Sequence, residues 1–81
     1  MITIEIRNAS EAKTGLAEVE IFCDPAGLDE LLRQITFLKN GSTHVHLLTP
    51  AWAGTELDET AVGKNTDLVN HLRITSVSAE K

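Results

Sequence analysis

The side chains best suited to chemistry in this chain are three imidazoles, one thiol and one indole. His44 and His46 alternate in "THVHLL", and His71 sits in "LVNHLRI". Trp52 follows the first pair in "TPAWAGTELDE", which carries Glu56, Asp58 and Glu59. Alternate residues of a strand lie ~6.6 Å apart on one face, and direct neighbours across a ladder lie about 5 Å apart. If the segments bearing these histidines pair antiparallel, His44 and His46 fall across from His71 and Arg73, and three imidazoles can converge.

Three kinds of chemistry fit that set. His-x-His with a third His is a zinc ligand set, completed by an acid or water. A histidine beside Glu18, Glu20 or Cys23 could exchange protons as an acid–base pair. No nucleophile motif surrounds Cys23, however, and no glycine loop is built to cradle phosphate, so no catalytic residue is expected. The third reading places the imidazoles on a half-solvated sheet face or an interaction surface, where no cofactor is required. Neighbouring imidazoles repel once protonated, so such a face should respond to mild acid.

Trp52 and its acids suggest the partner. An aromatic anchor is a common centre of binding energy, and a rim of charge steers approach. Seven basic against twelve acidic residues give a net charge of −5. That balance disfavours nucleic acid, whose phosphates are met by Lys and Arg, and favours a basic protein partner. Trp52 could also fold back and plug the open side of the sheet, because aromatics are scarce: two Phe, one Trp and no Tyr.

The elements that must hold these residues follow from periodicity. "ITIEIR" and "LAEVEIFC" alternate and read as an antiparallel pair joined by the polar loop "NASEAKTG". Ile2, Ile4, Ile6, Val19, Ile21 and Cys23 share one face; Thr3, Glu5, Arg7, Glu18, Glu20 and Phe22 share the other. "DPAGLDELLRQITFLKNG" is a helix, capped by Asp24, opened by Pro25 and stopped at Asn40-Gly41. Its apolar stripe of Leu28, Leu31, Leu32, Ile35 and Leu38 is expected to cover the isoleucine face. "THVHLLTP" is a third strand. "LVNHLRITSV" is a fourth, with Leu68, Asn70, Leu72 and Ile74 facing one way and Val69, His71 and Arg73 the other. The long segment between them has no period, and "SAEK" reads as a tail.

The expected architecture over residues 1–81 is therefore a single α+β domain, β-β-α-β-β, with a mainly antiparallel four-stranded sheet and one helix on one face. Lone Cys23 excludes an internal disulfide. The opening residues do not resemble a signal peptide and no apolar run reaches membrane-spanning length, so the cytoplasm is the expected compartment.

The motifs "CDPAGLDELLRQITFLKNG", "HVHLLTPAWAGTEL" and "HLRI" resemble a family of bacterial immunity proteins from polymorphic toxin systems, the one numbered thirty-two. The shared pattern is an acid and Gly-Leu at the helix start, a His-x-His strand ending near Pro, a Trp-Gly-Gly-x-Glu-Leu turn, and a final His-Leu-Arg-Ile strand. Here these fall at Asp24, Gly27-Leu28, His44, His46, Pro50, Trp52, Gly54, Glu56, Leu57 and His71 to Ile74. Ala53 stands where the pattern has its first Gly. The resemblance implies a protein that binds and neutralises a toxin made by its own cell. The expected contact residues are Trp52, Glu56, Asp58, Glu59, His44, His46, His71 and Arg73, with a basic toxin domain as partner. The alternatives are a small metal-binding protein using His44, His46 and His71, and a homodimer burying Phe22, Leu48 and Val69.

Overall fold

The computed structural model describes residues 1–7 and 17–78. The expected loop over 8–15 and the tail beyond Ser78 lie outside them. The elements are β1 (Ile2–Arg7), β2 (Glu18–Cys23), α1 (Pro25–Lys39), β3 (His44–Leu48), a 3₁₀ turn (Pro50–Trp52), β4 (Asp67–Leu68) and β5 (His71–Thr75). The class is α+β as expected. The single four-stranded sheet is not found: β2-β1-β4 form one antiparallel sheet and β3-β5 another.

The division occurs inside the expected fourth strand. Leu68 stands opposite Glu5, on the outer face of β1, whereas Leu72 stands opposite Leu47, which is fully buried. On an uninterrupted strand, residues four apart share a face. Here the inward side chains change parity between Leu68 and Leu72, and Val69, Leu72 and Ile74 pack on the core. Such a one-residue shift re-aims a strand as a bulge does. The expected grouping of Leu68, Asn70, Leu72 and Ile74 fails for that reason. Asn70 occupies the shift, accepting the Thr49 amide at 3.0 Å on its carbonyl and the Thr49 hydroxyl at 2.7 Å on Oδ1. Ribbon 67–75 thus serves β1 with one end and β3 with the other.

Residues 56–58 join the two sheets a second time. Leu57 donates its amide to the Leu48 carbonyl, and Asp58 donates to that of Ile2. The Leu48 amide reaches Glu56 Oε1 at 3.1 Å, and the Ile2 amide reaches Asp58 Oδ2 at 3.0 Å. Leu57 is buried in the core with Ile2, Ile4, Val45 and Leu47.

Helix α1 starts and stops where its end signals lie. Asp24 caps the Gly27 amide at 2.8 Å, and Lys39 ends the last turn. The Asp24 carboxyl also pairs with the terminal amine of Met1, and that bond with the cap bond holds it below the usual carboxylate range. The inward face differs from the expected stripe. Gly27 and Gln34 are buried and Leu31 and Leu38 pack on the core, while Leu28, Leu32 and Ile35 are exposed. The backbone approach selects this face, since a Cβ on Gly27 would lie 1.9 Å from the Met1 carbonyl oxygen. The helix packs on β2 and β3 and leaves Ile6, Val19 and Ile21 exposed. It therefore covers the isoleucine face only in part.

The opposite face of β1 carries the larger departure. Thr3 and Glu5, expected to face outward, are both 0 % exposed. Residues 62–66 lie across them. Glu5 accepts the Val62 amide (2.8 Å) and the Thr3 hydroxyl (2.9 Å) on Oε2, and the Gly63 amide (3.0 Å) and the Thr66 hydroxyl (2.7 Å) on Oε1. Burial pushes this carboxyl up, but the four donors outweigh it and hold its pKa at about 2. The segment without periodicity is a strap fastened to one buried carboxylate.

Candidate functional site

The strap closes the outer face of the first sheet and leaves that of the second open. Val45 and Leu47 point to the core, so the alternate residues His44 and His46 point outward. The antiparallel register sets His46 against Arg73 and Leu48 against His71. His71 is thus the diagonal neighbour of His46, and the imidazoles form a row. The His44 and His46 ring centroids are 5.0 Å apart and edge-on; those of His46 and His71 are 4.9 Å apart. His46 Nδ1 and His71 Nε2 are in hydrogen-bond contact at 2.7 Å.

Trp52 completes the row, its ring centroid 5.5 Å from that of His71. It is 57 % exposed, so it neither plugs the sheet nor swings free. The 3₁₀ turn behind it sets its position: Trp52 donates its amide to Thr49 O, and Ala53 donates to Pro50 O. Ala53 then takes φ 66°, ψ 24°, a left-handed conformation that glycine adopts without steric cost. Gly54 has no room for a side chain, because a Cβ there would meet the Leu48 Cβ at 2.2 Å. The close return of the chain onto Leu48 depends on that glycine.

The electrostatics of the row act on its central member. His46 is held below the ordinary imidazole range by loss of hydration first, then by His71, His44 and Arg73. A second proton on the His46–His71 pair would set two donors against each other. Arg73 is exposed beside them.

The expected contact residues divide into two groups. Trp52, His44, His46, His71 and Arg73 share one open face. Glu56 and Asp58 each use a carboxylate oxygen on a backbone amide, which makes them joints between the sheets as well as members of the acidic rim. Glu59 is exposed. The Glu-Leu of the turn motif in fact performs two structural tasks, since Leu57 fills the core beside Glu56. The homodimer patch is corrected: Val69 packs on the core, and Phe22 lies beside the strap, 3.6 Å from a Cβ built on Gly63. Neither shares an open face with Leu48.

The proposed acid–base partners are also dispersed. Glu18 pairs with Arg7, and Glu20 lies 3.9 Å from the same guanidinium. Cys23 packs against the core, where burial raises its thiol pKa. Among the described residues, no three groups drawn from His, Cys, Asp and Glu are arranged to hold one metal ion. A cleft of about 300 Å³ lies elsewhere, between α1 and residues 55–58, lined by Gly27, Glu30, Arg33, Glu56 and Asp58. Its charges are largely spoken for: Arg33 is bound to Glu30 at 2.7 Å, and Gln34 binds the same carboxylate.

Sequence reasoning overlooked Glu5. Its signal is a carboxylate in the middle of the strand "ITIEIR" facing a segment rich in Gly, Thr and Asn, but alternation alone assigns such a residue to solvent.

No family model, curated protein or solved structure matches the chain. Among the described residues, no helix is long and apolar enough to cross a membrane.

Proposed function

We propose that this protein is a binding module of the immunity type, which neutralises a bacterial toxin domain by covering part of its surface. The observation that carries the reading is the 57 % exposed Trp52, seated on His71 at the end of an imidazole row on an open sheet face. A rigid indole held by a turn loses little conformational freedom on binding, and aromatic anchors of this kind dominate interface energies. His44, His46, His71 and Arg73 form the floor beside it. Glu56, Asp58 and Glu59 supply a negative rim suited to a basic partner, in keeping with the chain's net charge of −5. The reading has the protein acting without a catalytic group in the bacterial cytoplasm, where a toxin made by the same cell must be restrained.

The test is binding to the C-terminal domain of a large secreted protein encoded beside this gene. Trp52→Ala should weaken that association by at least about 30-fold, the equivalent of a 2 kcal/mol anchor. Glu59→Lys should slow association in a salt-dependent way, because charge steers the approach. Glu59 is the appropriate rim residue to reverse, since Glu56 and Asp58 also hold the two sheets together. Unchanged affinity in Trp52→Ala would place the contact surface elsewhere.

A further inference from the structure

We propose that His46 and His71 form a two-imidazole site for a divalent transition-metal ion such as Zn²⁺, Ni²⁺ or Cu²⁺, with water in the remaining positions. The inference is independent of the toxin reading. It rests on two ring nitrogens that face each other across the strands. His46 Nδ1 and His71 Nε2 approach to 2.7 Å, so the nitrogens share one proton between them. A metal ion held by the same atoms would take the place of that proton, and the donor ring would carry the proton on its other nitrogen, which faces away from the pair. Zinc–imidazole bonds of 2.0–2.1 Å at a tetrahedral angle need the nitrogens about 3.3 Å apart. Opening from 2.7 Å asks a few tenths of an ångström of each ring, and both side chains are exposed and able to give it.

The backbone supplies the rest of the preorganisation. His46 lies on β3 and His71 on β5, adjacent strands in fixed antiparallel register, so chelation closes a short ladder already formed. Both residues belong to the uncovered face, which gives a hydrated ion free entry. Imidazole ligands select zinc, nickel and copper; magnesium and calcium require oxygen donors, which the pair lacks. His44 stands outside the pair, edge-on to His46, with Nδ1 3.1 Å from the Thr43 hydroxyl. The three imidazoles therefore do not make a single ligand sphere, and the site is the cross-strand pair alone.

Trp52 provides the readout. It is the only tryptophan in the chain, and its ring lies 5.5 Å from His71. Titration of the full chain with NiCl₂ or CuCl₂ at neutral pH should quench its fluorescence, and calorimetry with ZnCl₂ should give one ion per chain. His46→Ala and His71→Ala should each weaken binding by at least roughly tenfold, since even indirect supports of a metal ligand are worth that much. His44→Ala should stay near the parent affinity, and MgCl₂ should produce no response. Circular dichroism checks that each exposed-site variant is folded. Binding that survives in the His46→Ala/His71→Ala double variant, or that falls as far in His44→Ala, overturns the assignment, as does the absence of saturable binding in the parent protein.

Discussion

Glu5→Gln changes one atom of a buried side chain and should loosen the entire strap. Each carboxylate oxygen of Glu5 takes one hydroxyl and one backbone amide: Thr3 and Val62 on Oε2, Gly63 and Thr66 on Oε1. Hydroxyls can turn and accept, but backbone amides cannot. Whichever way a glutamine is oriented, its NH₂ faces the amide of Val62 or of Gly63. One amide loses its acceptor at a side chain with no exposed surface, and the remaining bonds lose their charge assistance. The expected cost is about 2–4 kcal/mol. Urea denaturation measures it, and amide exchange at Val62 and Gly63 localises it. A second signature is pH. The folded-state pKa of about 2 lies below the ordinary 4.5, so the carboxylate contributes stability in full above about pH 4.5 and loses it as pH falls toward 2. The variant should lack that part of the acid transition. A stability within 0.5 kcal/mol of the parent, with Val62 and Gly63 still protected, would refute the reasoning.

Three further outcomes follow from single contacts. Ala53→Gly should raise stability by about 0.5–1 kcal/mol, because a left-handed residue with a Cβ costs ~1–2 kcal/mol and the added freedom of glycine in the unfolded chain returns part of the gain; a thermal melt reads the sign. Asn70→Ala should cost about 1–2 kcal/mol, since it strands the fully buried Thr49 hydroxyl, and a Thr49→Val/Asn70→Ala double variant should recover part of that loss in the same urea assay. His46, which loses hydration in the fold and is flanked by His71, His44 and Arg73, has a depressed folded-state pKa, so its unfolded form takes up a proton first. Stability should therefore decline as pH drops below about 6.5, the ordinary value, and His46→Ala should flatten the profile in that window.

The sequence was most legible where one local signal acted alone. Asp24, Pro25 and Asn40 delimit the helix because caps and breakers work through the adjacent backbone. The alternation of "ITIEIR" and "HVHLL" gives strands in the expected antiparallel pairs, and it correctly sets His44, His46, His71 and Arg73 on one face. Legibility failed where a second partner decided the outcome. Glu5 reads as solvent-facing until Val62, Gly63 and Thr66 arrive from more than fifty residues away. Leu28 and Leu32 read as core, but Gly27 brings the helix so close to Met1 that a different stripe turns inward. The break at Asn70 has no local marker, because its cause is a pair of bonds to Thr49.

The same long-range contacts explain why the candidate site is open. A flat four-stranded sheet would expose one continuous outer face, too broad for an 81-residue chain to cover. The parity change at Asn70 splits the face into two. The half under the strap becomes a closed polar core around Glu5, which lets it tolerate Thr3 and a carboxylate in full burial. The half beyond Asn70 keeps its solvent exposure and receives the histidines. The 3₁₀ turn and Gly54 then return the chain so that Trp52 stands at the margin of that half and not over it. An indole folded across the imidazoles would bury them and leave their nitrogens in need of partners. Held at the edge, it lengthens the row and leaves the nitrogens accessible. The long segment after β3 is thus divided in its work: its first residues present the aromatic anchor, residues 56–58 bind the two sheets, and residues 62–66 seal the half that has no part in the site.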